Sequence, residues 1–122
     1  MDVIEPTLRG LRDAADAVRE SNHTAYRASH GPVDLYRRLG TLIEVLSYLR
    51  QTTQVIREQT SKITEAAEAD GLIVGSDDST LPRDHDETIF LSLSRVESVL
   101  ADAVAAGNEA WSALGHLKLV EP

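Results

Sequence analysis

Apolar and small residues recur along the chain at alternating spacings of three and four, the period of one face of an α-helix. The pattern runs through three segments and predicts helices over about 3–29, 33–69 and 85–116. At about 1.5 Å per residue, the second helix would be roughly 50 Å long. Its predicted core face consists of Leu35, Leu39, Leu42, Leu46, Leu49, Thr53, Ile56, Thr60, Ile63 and Ala67.

The connections between the predicted helices indicate how the helices pack. Only His30, Gly31 and Pro32 separate the first two helices, which must therefore lie side by side and antiparallel. Asp84, with Glu87 three residues later, fits a cap at the start of the third helix. We therefore expect an all-α fold: a three-helix antiparallel bundle with coiled-coil-like packing and a long central helix, forming one domain over 1–122. Its predicted core contains Leu42, Leu46, Leu49, Leu93, Val96 and Leu100.

The composition is that of a globular protein that buries a core, with 42% hydrophobic and 26% charged residues among 122. The chain has no cysteine, which excludes disulfides, thiolate metal sites and a cysteine nucleophile. A net charge of −8 argues against nucleic acid as a partner, because phosphate binding needs clustered Lys and Arg. Acids replace the basic start of a signal peptide, and no apolar run approaches the roughly 18 residues of a membrane span. We expect a cytoplasmic protein that does not bind a membrane.

Acidic residues are concentrated between the second and third predicted helices, in a loop over about 70–84 and the residues just after it. Residues 70–87 contain six acids and one base, which accounts for five of the eight net negative charges. The spacing does not match a calcium-binding loop, so we predict no metal site. A solvated acidic loop and a docking site for a basic protein remain the two interpretations, and the second makes partner-binding candidates of Asp77, Asp78, Asp84 and Asp86.

Residue patterns for catalysis are missing. The four histidines form no His-Glu-x-x-His motif and no pair four residues apart. The chain also lacks a Gly-x-Ser-x-Gly nucleophile motif and a glycine-rich phosphate loop. We therefore expect no cofactor and no enzymatic activity.

The second half of the long helix carries threonine at Thr53 and Thr60, where leucine occupies the face earlier. These threonines either donate hydrogen bonds to their own helix or become fully packed only in an oligomer. Apolar residues also lie off the main face, which favours a homo-oligomer. The partner-binding candidates on this helix are Tyr48, Thr52, Val55 and Gln59.

These patterns favour a non-catalytic protein–protein interaction module, a structural or adaptor subunit of a larger assembly, with a phage or mobile-element component as one case. One alternative is an acidic inhibitor that sequesters a basic protein surface. A second alternative is a metal-dependent enzyme whose site has no recognisable motif.

Overall fold

The computed structural model describes residues 4–25, 31–70 and 82–118, which form three α-helices and contain no strand. Helix α1 spans Ile4–Ala25, α2 spans Pro32–Asp70 and α3 spans Pro82–Lys118. With 39 and 37 residues, α2 and α3 are each about 55–58 Å long. The predicted all-α fold class and the long second helix are confirmed.

Both long helices begin at a proline, Pro32 in α2 and Pro82 in α3. Proline suits the first helical position because its fixed φ fits the helix and its missing N–H would have no partner there. Asp34 and Asp84 lie in the respective first turns, where the helix dipole favours negative charge. The expectation that Asp84 caps α3 is therefore wrong, since the helix starts two residues earlier. Most of the predicted acidic loop, 71–81, lies outside the described residues.

Helix α1 belongs to a compact unit over Met1–Gly31, and α2 and α3 belong to a second unit over Pro32–Pro122. Taken by itself, α1 carries an apolar face that includes the exposed residues Leu8, Leu11 and Val18. An ion pair between Arg19 and Asp16, three residues apart and 2.8 Å long, lies on its surface. The prediction of a single domain over 1–122 stays a prediction.

Helices α2 and α3 pack against each other as an antiparallel hairpin, as the sequence predicted for neighbouring helices. Tyr36 near the start of α2 meets Trp111 near the end of α3, whereas Arg57 far along α2 meets Glu97 earlier in α3. Ile43 and Gly107 meet between them. Partners therefore have residue numbers that add to about 150 throughout, which is the signature of two antiparallel helices in one constant register.

The contact line between the helices, here called the seam, follows heptad positions a and d. In α2, position a is Tyr36 and every seventh residue after it. In α3, position a is Trp111 and every seventh residue before it. Position d lies three residues after each a position. No residue in the described part of the chain is fully buried. The half-buried seam residues are Tyr36, Leu39, Ile43, Leu46, Thr53, Arg57, Thr60 and Thr64 of α2, and Asp86, Leu93, Glu97, Leu100, Val104, Gly107, Trp111 and Leu114 of α3.

This seam corrects the predicted core. Leu46, Leu93 and Leu100 lie on it as expected. The prediction is wrong for three other members, which are exposed: Leu42, Leu49 and Val96. On both helices the predicted face used the residue immediately before each a position, called g, because the larger aliphatic side chains stand there. The helices instead meet through a and d, about one residue further around each helix.

Candidate functional site

Two aromatic rings close the seam where α2 begins and α3 ends. The rings of Tyr36 and Trp111 are stacked, with centroids 4.5 Å apart and planes 18° from parallel. The indole Nε1–H of Trp111 also donates a hydrogen bond of 3.1 Å to the backbone carbonyl oxygen of Tyr36. The stack is thus anchored to the backbone of α2 at one point, which fixes how the two helices are placed along each other.

Glycines make room for these rings inside the helices. A Cβ atom on Gly40 would lie 3.0 Å from Trp111 Nε1, and one on Gly115 would lie 3.2 Å from Tyr36 Cε2. Further along, a Cβ on Gly107 would lie 3.0 Å from Cγ1 of Ile43. Glycine inside a helix costs about 1 kcal/mol relative to alanine, which the close approach of the helices offsets here. Tyr36, Gly40, Trp111 and Gly115 are called the aromatic end below.

About six turns further along α2, the seam contains charged groups. Arg57 donates two hydrogen bonds to the Glu97 carboxylate, from Nε to Oε2 at 2.6 Å and from Nη2 to Oε1 at 3.3 Å. The guanidinium carbon also lies 5.0 Å from the centre of the Phe90 ring, within reach of a cation–π interaction. Arg57, Phe90 and Glu97 are called the charged layer below.

The hydrogen bonds of the charged layer favour the charged form of the Arg57 guanidinium. The pKa of Arg57 lies above its ordinary value, chiefly because Arg57 donates hydrogen bonds to Glu97. Burial opposes this shift, and the negative charges of Glu97 and Glu58 add to it. Both side chains are less than one-fifth exposed, so water screens the pair less than a surface pair. A forked, partly buried pair of this kind selects one register of the two helices.

The threonines of α2 satisfy their hydroxyl groups within their own helix. Thr53 donates to the carbonyl of Leu49 at 2.8 Å, and Thr60 donates to that of Ile56 at 2.8 Å. This is the first of the two sequence-based interpretations, in which the threonines bond back to their own helix. With the hydroxyl engaged in this way, these seam positions need no polar partner from another chain.

Ten apolar side chains line one side of the hairpin, and this surface is called the apolar flank. They occupy the g positions, and in an antiparallel pair of helices the g positions of both helices lie on the same side of the seam. No charged residue occupies a g position between 35 and 63 or between 89 and 117. The apolar flank consists of Leu35, Leu42, Leu49, Ile56 and Ile63 of α2, and Ile89, Val96, Ala103, Ala110 and Leu117 of α3.

The apolar flank is exposed except at Ala103, which is half-buried. Leu42 is 50% exposed, Ile63 is 64% exposed, and the other leucines, isoleucines and valine of the flank are all exposed as well. The antiparallel register places each flank residue of α2 level with one flank residue of α3. Each such pair is called a rung, and the five rungs follow one another at intervals of seven residues on each helix. Leu35 is level with Leu117 and Ile63 with Ile89, so both columns begin and end together.

The opposite side of the hairpin is polar. Its e positions, one residue after each d position and on the other side of the seam, contain no leucine, isoleucine, valine or aromatic residue. They are Gly40, Ser47, Gln54, Ser61 and Glu68 of α2, and Glu87, Ser94, Ala101, Asn108 and Gly115 of α3. The hairpin as a whole is therefore amphipathic, with one side suited to protein contact and the other to water.

The four predicted partner residues of α2 lie on its outer surface, at heptad positions c and f. Tyr48 is 60% exposed, and its hydroxyl donates to Oε1 of Glu44 at 3.3 Å. Thr52 is half-buried and donates to the carbonyl of Tyr48, while Val55 and Gln59 are exposed. These residues form a surface next to the apolar flank and separate from the seam. Their role in partner binding stays a prediction.

Of the four predicted acidic partner residues, two can be placed. Asp84 is exposed in the first turn of α3, and Asp86 is half-buried two residues later. The Oδ1 atom of Asp86 is buried without a hydrogen-bond partner among the described residues. Asp77 and Asp78 lie outside the described residues. The structure therefore describes only Asp84 and Asp86 of this set, and the docking role of the acidic residues stays a prediction.

Two kinds of feature are absent from the part of the chain that the structure describes. In that part of the chain, no group of three or more His, Cys, Asp or Glu side chains is placed to hold a metal ion. None of the described helices combines the length and apolar character needed to cross a bilayer. The predicted cytoplasmic location stays a prediction.

Comparison with known proteins gives no relative: no family model, no curated protein and no solved structure matches this chain.

Sequence reasoning missed the apolar flank as a surface, because it assigned the same residues to the core. It also missed Trp111 and Glu97 as seam residues. One signal was present in the sequence: α2 and α3 carry apolar residues at every g position from 35 to 63 and from 89 to 117, and at part of their a and d positions, a face wider than one partner helix can cover.

Proposed function

We propose that this chain is a non-catalytic protein–protein interaction module, a structural or adaptor subunit that packs its α2–α3 hairpin against other helices. The observation that carries this proposal is the exposed apolar flank. Soluble proteins rarely leave a continuous apolar surface of more than a few hundred Å² open to water, and larger ones mark sites of protein contact. The five rungs of the flank extend over about 42 Å, which exceeds that limit at any realistic width.

The chemistry of the flank indicates which kind of partner it takes. Its side chains are aliphatic, it lacks a charged group, and its ridges repeat every seven residues along both helices. A partner helix with its own apolar stripe would fit between two such ridges, since side chains of one helix pack into the grooves of another. Aliphatic contact of this kind supports assembly and supplies no group for acid–base or nucleophilic chemistry.

A matched pair of alanine substitutions tests this proposal. Ala110 lies on the apolar flank and Ala105 lies on α3 away from it, and both are exposed. Glutamate at either position adds the same charge to the same helix. We expect a protein captured by the wild type from its native cells to be retained by Ala105→Glu and lost with Ala110→Glu, measured by quantitative mass spectrometry. Equal capture by both variants would refute binding through the flank.

A further inference from the structure

We infer that the apolar flank is a dimer interface, on which a second copy of this chain packs face to face so that two α2–α3 hairpins form a four-helix core. This inference rests on the proposed function and names its partner. Three features of the flank support a second copy: its area, the size of the side chains at each rung, and its freedom from charge.

The area of the flank matches what a stable dimer needs. It is about 42 Å long, and two packed helices present a width of roughly 20 Å, from an interaxial distance of about 9 Å and a helix diameter of about 10 Å. The footprint is thus roughly 800 Å² per copy, the usual contribution of one partner to a specific interface. A single added helix would cover only part of this width.

Two rungs of the flank each pair a large side chain with a small one. At the second rung Leu42 lies level with Ala110, and at the third Leu49 lies level with Ala103. In one possible dimer, a two-fold axis parallel to the helices relates the two copies. This axis places α2 of each copy opposite α3 of its partner. Each leucine of these two rungs then faces an alanine of the partner, so large side chains meet small ones at the middle of the interface, while the first, fourth and fifth rungs bring pairs of larger aliphatic side chains into contact.

The alternative face-to-face packing lacks this complementarity. A two-fold axis across the hairpin would set α2 above the partner's α2, which brings Leu42 against Ile56 of the second copy and leaves Ala110 facing a valine. Two large residues would then compete for one space. The arrangement with α2 above α3 avoids this conflict at the second and third rungs, where the alanines lie.

Charge does not oppose the contact. Each copy carries a net charge of −8, but no charged side chain lies on the flank itself. Repulsion between the outer surfaces of two copies is screened within about 8–10 Å at physiological ionic strength. Association should therefore strengthen as salt increases, which distinguishes an aliphatic interface from one built on the acidic segment.

Sedimentation equilibrium on the full chain tests the inference directly. We expect the wild type at micromolar concentration to have twice the monomer mass of 13.3 kDa. Ala110→Glu should weaken dimerisation at least tenfold, and Ala105→Glu should leave it unchanged. Circular dichroism must show the same helicity for both variants. A wild type that stays monomeric, or equal weakening by both variants, would overturn the inference.

A second pair of substitutions separates the flank from the outer surface of α2. Leu42→Glu changes the flank and Tyr48→Glu changes the predicted partner residue beside it. Both side chains are at least half exposed, so neither glutamate would be buried in the monomer. We expect dissociation with Leu42→Glu alone. Dissociation by Tyr48→Glu with no effect of Leu42→Glu would assign the interface to the outer surface and overturn the inference.

Cross-linking tests the arrangement of the two copies. The chain has no cysteine, so Leu49→Cys and Ala103→Cys each introduce a unique thiol. With α2 above the partner's α3, a short bismaleimide should link a mixture of the two variants more efficiently than either variant alone. Efficient linking within the Leu49→Cys variant alone would place α2 above α2 and overturn the arrangement.

These results remain distinct from those that test the proposed function. A monomeric wild type that captures another protein through the flank would refute the second copy and leave the proposed function standing. If the wild type is a monomer and the flank is protected from hydrogen exchange, another part of the same chain covers the flank, and the inference is overturned.

Discussion

At the aromatic end, the α2–α3 seam is closed by two stacked rings set into glycine-lined space; at the charged layer, it is closed by a guanidinium gripped by a carboxylate. The first contact depends on shape and tolerates almost no added volume. The second depends on direction and charge. The same pair of helices thus uses close packing of rings against glycines at one end and a forked ion pair farther along the seam. The largest effects of mutation should therefore arise at the aromatic end.

Removal of the Trp111 ring should give the largest loss of stability. Trp111→Ala deletes the stack, the hydrogen bond to Tyr36 and much of the contact with Gly40. Aromatic truncations in a core cost about 3–5 kcal/mol, and we expect about 2–4 kcal/mol here because Trp111 is half-buried. Urea unfolding followed by circular dichroism measures it. Trp111→Phe should lose less than half as much, and equal losses would mean that the stack contributes little.

Adding one methyl group should distinguish a glycine that is needed from one that is not. Gly40→Ala puts a Cβ 3.0 Å from Trp111 Nε1, whereas Gly10→Ala in α1 meets nothing within 4 Å. We expect Gly40→Ala to lower the free energy of unfolding by about 1 kcal/mol despite its better helix propensity. Gly10→Ala should raise helicity, worth about 0.5–1 kcal/mol to α1. Two substitutions with the same sign would contradict this reading of Gly40.

Loss of the carboxylate from the charged layer should have a smaller effect with a defined pH dependence. Glu97→Gln leaves Arg57 partly buried without its ion pair, so the melting temperature should fall. Asp16→Asn, which breaks an exposed pair in α1, should change the free energy of unfolding by less than about 0.5 kcal/mol. A fall no larger than that of Asp16→Asn would place the charged layer among ordinary surface pairs.

The pH dependence follows from the raised pKa of Arg57. A base whose pKa is higher in the folded state contributes stability that is lost only as pH rises through that higher pKa. The guanidinium therefore stays charged up to the alkaline limit of folding studies. The difference in melting temperature between wild type and Glu97→Gln should be constant from about pH 6 to about pH 9. A difference that vanished at the alkaline end would contradict the shift.

The smallest effect should come from the threonine seam positions. Thr60→Val removes a hydroxyl that bonds only to its own helix and adds a methyl group at the seam. We expect a change of no more than about 0.5 kcal/mol, in the stabilising direction, by thermal unfolding. A loss of more than about 1 kcal/mol would mean that the Thr60 hydroxyl has a further partner when the protein is assembled.

The helices, and a bundle fold in which α2 and α3 run antiparallel, could be predicted from the sequence because both follow from apolar periodicity. The short connection at His30, Gly31 and Pro32 concerns the first two helices, and their packing stays a prediction. The rotation of each helix could not be predicted. Counting apolar residues favoured a core face made of the g and d positions. Leu42, Leu49 and Val96 are large apolar residues at g positions. The true seam uses a and d, and its a positions include Arg57 and Glu97, which such counting treats as surface residues. A charged pair and a stacked indole stabilise the seam only together with their partners, so neither is visible in one helix alone.

The candidate site was predictable in kind but not in place. An excess of apolar residues on α2 did indicate a partner, but the sequence directed attention to Tyr48 and Val55. The flank emerges only when α3 is set beside α2, because three of its five rungs join residues more than 50 positions apart in the chain.

The chain has a single tryptophan, so its intrinsic fluorescence reports on the aromatic end. All indole fluorescence of the protein originates from Trp111, whose ring is stacked on Tyr36 and whose N–H is engaged with a backbone carbonyl. Emission from this ring reports the opening of one end of the hairpin, while circular dichroism reports the helices as a whole. If the hairpin frays from that end, emission should shift at a lower denaturant concentration than the loss of helicity, without any dye attached to the chain.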